Sequence, residues 1–321
     1  MNLAPFESPE SLANLASRVE FYVSAASSES TRKAYASDMR QFQQWCESKV
    51  VFSSLPTTPG AVALYLAHLA DAGKKVATIE RALIAIRKAH EVAEHEDPTA
   101  NRGVKEAMKG IRRTLGTVQK KAAPLLVDPL KRIVETLDLT RLKDLRDRAM
   151  LCLGFSTGMR RSELVALDAE DLKVSDLGLS ATIRRSKTDQ EGAGRSVVVL
   201  RGVNGTCPVK ALTAWLEAAG INEGPVFVYV DRHGKLHLDQ RLTDQVVLKV
   251  IRKRAEEAGV PGFENLSGHS LRAGLATQAA MNGALERDIA KQTGHKSEKV
   301  LKGYIREADL WRNNVTEGLG L

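Results

Sequence analysis

The stretch LSGHSLRAGLATQAAMNGALERDIAKQTGHKSEKVLKGYIREADL, residues 266–310, decides how this chain is read. It is helical in pattern, with segments SLRAGLATQAAMNG, LERDIAKQTG and SEKVLKGYIREADL separated by glycine-containing turns. His269 and Arg272 are spaced three apart, which places both on one face of a helix, with Ser267 and Gly268 ahead as cap and turn. A histidine and an arginine at a helix start make an anion site, because the free N–H groups and the helix dipole point the same way. A lone His-x-x-Arg is also common by chance. Tyr304 follows His295 by nine positions, about half a turn out of phase on one straight helix. The two can share a site only if the helix begins near Ser297, with Gly294 and His295 in the turn before it. A phenol with a pKa of about 10 attacks poorly unless cations and a base surround it.

Such cations stand elsewhere in the chain. In STGMRRSELVAL, residues 156–167, Arg160 follows a Thr-Gly turn and Glu163 lies one helical turn on. Arginine grips phosphate oxygens through two N–H groups and stays charged at any working pH. The plain alternative is a surface Arg-Glu pair. In LSATIRRSKTDQEGAGRSVVVL two alternating runs flank a glycine-containing turn, the pattern of a β-hairpin, and Lys187 stands at its tip. A lysine there can hand a proton to a leaving oxygen, or simply keep a turn soluble. No P-loop, no glycine-rich dinucleotide fingerprint and no Cys/His metal spacing occurs, so no metal and no cofactor is expected.

Working outward, residues 11–115 read as four to five helices with short connections and no strand. Leu12, Leu15 and Val19 form one stripe; Tyr35, Met39, Phe42 and Trp45/Cys46 form another, with Ser30 or Thr31 as its cap. Residues 116–128, GTVQKKAAPLLVD, break the periodicity as a linker. Residues 129–321 mix helices with the hairpin and a further short strand in GPVFVYVDRHGKL. The fold class expected is therefore mainly α, with an N-terminal helical domain (1–115) and a C-terminal α+β domain (129–321).

The chain's 321 residues carry a net charge of +8, which favours a polyanionic partner. That charge concentrates in residues 102–121, where Arg102, Lys105, Lys109, Arg112, Arg113, Lys120 and Lys121 face one acid, Glu106. The bland reading is a solvated helix face and a basic joint. Cys46, Cys152 and Cys207 are odd in number and far apart, which fits a reducing cytosol. No apolar run approaches the ~20 residues of a membrane span, and the N-terminus shows no signal-peptide pattern, so a cytoplasmic protein with no membrane partner is expected.

Taken in order, Arg160, Lys187, HSLR at 269–272, Gly294-His295 and Tyr304 resemble the tyrosine recombinases, or phage integrase family. STRKAYASDMRQFQQWC resembles the opening of that family's helical, SAM-like core-binding domain, and LSGHSLRAGLATQAA and GYIREAD look especially like its Cre-type subgroup. The resemblance implies a site-specific recombinase with two domains forming a DNA clamp. It would cleave and rejoin double-stranded DNA through a 3′-phosphotyrosyl link and a Holliday junction, without metal or ATP. It implies Tyr304 as nucleophile, Arg160 and Arg272 on the non-bridging oxygens and Lys187 as acid for the 5′-oxygen. His269 would be the general acid/base, His295 a hydrogen-bond donor to the phosphate, and Glu163 a support. The Cre subgroup carries Trp at the place of His295, so here the chain follows the wider family. A homotetramer on two DNA sites is implied, with residues 305–321 docking in trans, as is a bacterial, plasmid or phage setting near the nucleoid. Two other readings share these residues: a type IB topoisomerase, and a DNA-binding relative that has lost catalysis.

Overall fold

The computed structural model describes residues 13–15, 17–19, 21–22, 28–49, 52–118, 122–186, 189, 192, 194–295, 302–304 and 316. Its contacts divide the chain into two units, residues 1–120 and 121–321.

The first unit is helical: α1 (Glu29–Lys49), α2 (Pro59–Asp71), α3 (Val76–Val92) and α4 (Arg102–Leu115). Their apolar stripes close on one core that includes Phe42, Tyr65, Leu66, Ile79, Ile86 and Met108. The stripe expected on α1 is present, with Phe42 and Cys46 buried. Its cap differs from the expectation. The Thr31 amide donates to Ser28 Oγ (3.3 Å), so the cap is Ser28, two to three residues before the serine or threonine expected there. Asp38 is the polar exception in this core; the Arg81 fork donates to both of its oxygens at 2.7 and 3.0 Å. On α4, Val104 and Met108 face inward. Arg102, Lys105, Lys109, Arg112 and Arg113 are exposed, and Arg112 reaches Glu80 at 2.7 Å. Lys120 and Lys121 lie outside the described residues.

The second unit is built around α6 (Leu142–Thr157), whose residues Ala149–Phe155 are all buried. Around it lie α5 (Val127–Glu135), α7 (Arg161–Val165), α8 (Pro208–Ala219), α9 (Asp244–Glu257), α10 (Ser270–Met281) and α11 (Glu286–Thr293). The expected hairpin is present: β2 (Gly178–Ile183) pairs antiparallel with β3 (Arg195–Leu200), with Ala181 opposite Val197. Along β3, Val197 and Val199 face the core while Val198 and Leu200 are exposed, as a period of two requires. Two features exceed the expectation. A third strand, β1 (Leu172–Val174), pairs with β2. The single strand expected in the GPVFVYV segment is a two-stranded ribbon, β4 (Val228–Val230) with β5 (Leu236–Arg241).

α10 sits close to the segment leading into α5. A Cβ on Gly274 would lie 1.9 Å from the Leu125 carbonyl oxygen, so only glycine permits this approach. α6 is tied to α9 by a buried ionic cluster. Arg254 Nε donates to Asp147 Oδ2 (2.8 Å), its Nη2 to Asp144, and Arg146 donates to Asp147 Oδ1 (2.8 Å). Burial opposes the Arg254 charge, but Asp147 and Asp144 outweigh it and hold its pKa above the ordinary value. Replacing one partner of such a cluster strands the others, which costs about 3–5 kcal/mol. Arg254→Met is therefore expected to lower the urea unfolding free energy by about that amount, and adding Asp144→Asn should restore part of it.

Candidate active site

The C-terminus of α6, the start of α7, the first turn of α10, and the end of α11 meet at one place. Gly158 closes α6 in the left-handed conformation (φ 60°, ψ 23°). A Cβ there would come within 2.8 Å of Leu275 and 3.0 Å of Thr293, so the Thr-Gly turn seen in the sequence is a close-packing requirement as well as a cap. It delivers Arg160 to the N-cap of α7. Glu163 Oε2 accepts from the Arg160 amide (3.0 Å) and Oε1 from Arg160 Nη1 (2.6 Å). With 1% of the Glu163 side chain and 15% of the Arg160 side chain exposed, this is a sequestered pair and the surface-pair alternative does not hold.

Arg272 enters from the third position of α10. Its Nη1 donates to the Gly158 carbonyl (2.7 Å) and the Thr293 carbonyl, and its Nε donates to His295 Nε2 (3.3 Å). Its Nη2 is buried with no hydrogen-bond partner. Burial and the nearby Arg160 lower its pKa to about 10, so it remains a cation at neutral pH. Two carbonyls and an imidazole fix the plane of this guanidinium while one nitrogen stays unused. Leaving a buried charged donor unsatisfied is costly, and an anion would relieve it.

His295 has a determined tautomer. Thr293 Oγ1 gives its proton to the Ile289 carbonyl (2.6 Å), so at its 2.7 Å contact with His295 Nδ1 the hydroxyl must accept. The ring is therefore protonated on Nδ1 and accepts from Arg272 on Nε2. Burial first, then Arg272, Arg160 and Arg195, lower its pKa to about 4. In this state His295 cannot donate from Nε2, so the phosphate-donor role expected for it requires that Arg272 release the ring and that Nε2 gain a proton. The depressed value also has a sign for stability. The unfolded chain binds the proton below about pH 6.5 and the folded chain only near 4, so stability falls as pH drops through that window. His295→Gln is expected to show a smaller loss of Tm between pH 7 and pH 5 than the parent in parallel thermal melts.

Tyr304 lies in residues 302–304, which are helical. Its half-buried ring packs on Ala276, Ala280 and Ile289 of α10 and α11, with its centroid 6.1 Å from that of His295. The phenol is close enough to raise the pKa of Arg272. His269 is exposed and is the residue just before α10, not a member of it; Ser267 Oγ accepts from its amide (3.1 Å). The capping hydroxyl here is that of Ser270, which accepts from the Ser267 amide (2.8 Å). His269 and Arg272 thus bracket the first turn of α10. Lys187 and Ser297 lie outside the described residues, as do 305–321 apart from Thr316; beside Lys187, Ser186 and Asp189 exchange backbone hydrogen bonds at 3.1 and 3.2 Å.

One residue at this place escaped the sequence reading. Arg195, the first residue of β3, contacts Glu163 Oε2 at 3.5 Å and donates to the carbonyls of Gln292 (3.1 Å) and Thr293 (3.3 Å). A signal existed: Arg195, Val197 and Val199 share the inward face of the strand, and an inward arginine needs a partner. Three guanidinium groups against one carboxylate, with His295 neutral, leave the site with two net positive charges. Among the described residues no group of His, Cys, Asp and Glu is arranged to hold a metal, and no helix is long and apolar enough to cross a membrane.

A tyrosine beside an arginine-lined anion site, on an α+β unit that follows a helical one, is the layout of an enzyme that makes a covalent bond to a phosphate. Residues 125–310 match the model of the phage integrase family, and residues 20–97 match that of the phage integrase N-terminal SAM-like domain. The chain belongs to the phage integrase family. It is 36% identical over 292 residues to an integrase/recombinase XerD homologue of Selenomonas ruminantium, covering 89% of this chain and 84% of that protein. Its fold is similar to that of XerH site-specific recombinase in a post-cleavage complex with a palindromic difH substrate (TM-score 0.65, 18% identity, 87% of this chain and 76% of that one). It is also similar to that of lambda integrase in a tetramer bound to a Holliday junction (TM-score 0.59, 16% identity, 92% and 78%).

Proposed function

We propose that this chain is a site-specific DNA recombinase in which Tyr304 is the nucleophile. The phenolic oxygen forms a bond to a DNA phosphorus, the P–O5′ bond breaks, and a 3′-phosphotyrosyl link and a 5′-hydroxyl result. His269 takes the phenolic proton and Lys187 supplies one to the departing 5′-oxygen. Arg160 and Arg272 hold the non-bridging oxygens, with Glu163 orienting Arg160. The attack brings a phenolate charge onto a phosphodiester that already carries one, so the transition state has two negative charges to meet. The site's net positive charge, to which Lys187 adds, answers it, and an interaction that grows with developing charge lowers the barrier. A 5′-hydroxyl from another strand then reverses the step. The bond energy is conserved in the phosphotyrosine, so no ATP is needed.

Residues 1–115 serve as the core-binding domain and 129–321 as the catalytic domain, joined by 116–128. The exposed cations Arg102, Lys105, Lys109, Arg112 and Arg113, together with Lys120 and Lys121, contact the DNA backbone. Such contacts fix position rather than sequence, and they weaken steeply with salt. Four copies act on two DNA sites, with residues 305–321 docking on a neighbouring copy, in the cytoplasm of a bacterium or of a phage-infected cell.

The observation that supports this most directly is the buried, unpartnered Nη2 of Arg272, whose Nη1 donates to two carbonyls, beside His295 and Tyr304. The test uses a library of randomised duplexes, each nicked so that the short cleaved product diffuses away. The protein should become covalently attached to a defined subset, recovered after denaturation and sequenced. No covalent capture from such a library would overturn the reading, and capture without sequence preference would replace it with a topoisomerase-like one.

A further inference from the structure

Beyond its charge Arg195 has no role in the chemistry set out above, yet it contacts Glu163 and the Gln292 and Thr293 carbonyls. It opens β3 opposite Ile183, on the face that carries Val197 and Val199 into the core. From there its fork spans two elements far away in the chain. Nη1 and Nη2 reach the Gln292 and Thr293 carbonyls at the end of α11, where helix carbonyls lack partners and the dipole is negative. Nη2 also lies 3.5 Å from Glu163 Oε2, the same carboxylate that orients Arg160. The Thr293 carbonyl accepts from Arg272 as well, so one oxygen holds two guanidinium groups together.

Gln292 crosses in the opposite direction. Its Nε2 donates to the Ser156 carbonyl of α6 (2.9 Å) and to the Val198 carbonyl of β3 (3.1 Å). The next turn is shaped around Arg195. Gly294 adopts φ 69°, ψ 37°, and a Cβ there would sit 2.8 Å from Arg195 Nε and 2.9 Å from its Cζ. The chain thus passes directly over the guanidinium before it reaches His295. Only 24% of the Arg195 side chain is exposed. Its charge is only partly answered, since Glu163 is closer to Arg160 at 2.6 Å.

We infer that Arg195 is a positioning residue for DNA cleavage: it locks the β2–β3 hairpin, the Glu163–Arg160 pair and the Thr293–His295 turn into one arrangement in the DNA-free protein. The inference rests on the recombinase reading for its cleavage arm; its histidine arm follows from the guanidinium lying against Gly294, the residue before His295. Arg195 is among the cations that depress the His295 pKa to about 4. A salt link placed for stability alone would leave the cleavage rate untouched once the protein is folded, and Arg195→Lys separates the charge felt by His295 from the fork that positions the turn.

The test compares wild type, Arg195→Gln and Arg195→Lys in two measurements. The first is the rate of covalent capture on a nicked duplex recovered as described above, with affinity for the same duplex. The second is the His295 titration in DNA-free protein, followed by imidazole ¹⁵N–¹H spectra and assigned with His295→Gln. Arg195→Gln is expected to slow capture by about 30-fold or more, because misplacement of a reacting group by about 1 Å costs up to ~100-fold. Affinity should change by less than about threefold, and the His295 pKa should rise by about one unit as a neighbouring cation is lost. Arg195→Lys keeps the charge and loses the fork. It should keep the low His295 pKa, and its capture should be slower than wild type by about fivefold and faster than Arg195→Gln. Capture by Arg195→Gln within threefold of wild type overturns the inference, as does slowed capture with an unmoved His295 titration in both variants. If Arg195→Gln does not fold, Arg195→Lys decides alone, and a wild-type rate there overturns the inference. Wild type that captures no DNA sinks the recombinase reading instead, while the titration still reports on Arg195.

Discussion

Tyr304→Phe should abolish covalent capture of DNA on a nicked duplex while leaving affinity for that duplex within about twofold. The expected loss is at least ~10⁴-fold in capture rate, or about 5.5 kcal/mol of barrier, because the substitution removes the atom that bonds to phosphorus. The separation from binding follows from how the residue is held. Its ring packs on Ala276, Ala280 and Ile289 and stands edge-tilted to His295 at 6.1 Å; phenylalanine reproduces every one of those apolar contacts. Thermal stability should therefore shift by only a degree or so, since a half-buried hydroxyl contributes at most about 1 kcal/mol. The measurement is a denaturing gel of protein and end-labelled DNA alongside a mobility shift. A Tyr304→Phe variant that still forms the adduct would show that another hydroxyl is the nucleophile.

How much of this was legible in the sequence differs between levels. The helical content of residues 129–321 was legible, and within it the structure buries the helix over residues 142–157 on nearly every side. The β2–β3 hairpin was legible because two alternating runs around a glycine-containing turn are a hairpin pattern. β1 was not: three residues carry no period, and Leu172–Val174 is a strand only because β2 offers it a partner. The cap of α1 slipped because several hydroxyls stand in a row at residues 27–31, and which of them accepts the amide is settled by chain direction, not by composition.

At the site the residue types were legible in the motifs, and their convergence only through the family resemblance. Arg160, Glu163, Arg272 and His295 stand out as chemistry, but Arg160 and Arg272 are brought together by Gly158, whose lack of a side chain lets Leu275 and Thr293 close in. His295 was expected to donate to the phosphate because the family resemblance implies it. The committed hydroxyl of Thr293, which bonds back one turn to Ile289, fixes the proton on the other nitrogen. Arg195 was hidden by its neighbours: in RSVVVL the valines announce a packing strand, and the arginine passes for its solvated end.

Arg272→Ala should lose capture by about 10³- to 10⁴-fold while affinity falls by no more than about fivefold. The reason is the timing of its interaction. Two carbonyls and His295 already hold the guanidinium in place before DNA arrives, so the unused Nη2 meets charge that grows only as the phenolate adds to phosphorus. Preorganised donors of this kind are each worth about 10²–10³-fold in the chemical step, and a full buried charge exceeds a neutral donor. Binding of the duplex is spread over many backbone contacts, so the loss of one is diluted. The substitution also frees the Gly158 carbonyl, while the Thr293 carbonyl keeps Arg195 as donor, and a buried group left unpaired costs about 1–3 kcal/mol of stability, so capture must be compared below the variant's own melting range. Arg272→Lys separates charge from geometry. It restores the cation but not the planar fork, and an intermediate loss of about 10²-fold is expected. Removing Arg272 also takes away the largest charge acting on His295, so the imidazole pKa should rise from about 4 toward its ordinary value in the alanine variant and stay low in the lysine variant. Equal losses of affinity and capture in Arg272→Ala would mean that this guanidinium serves ground-state binding, and the phosphorane-matching role would pass to Arg160 alone.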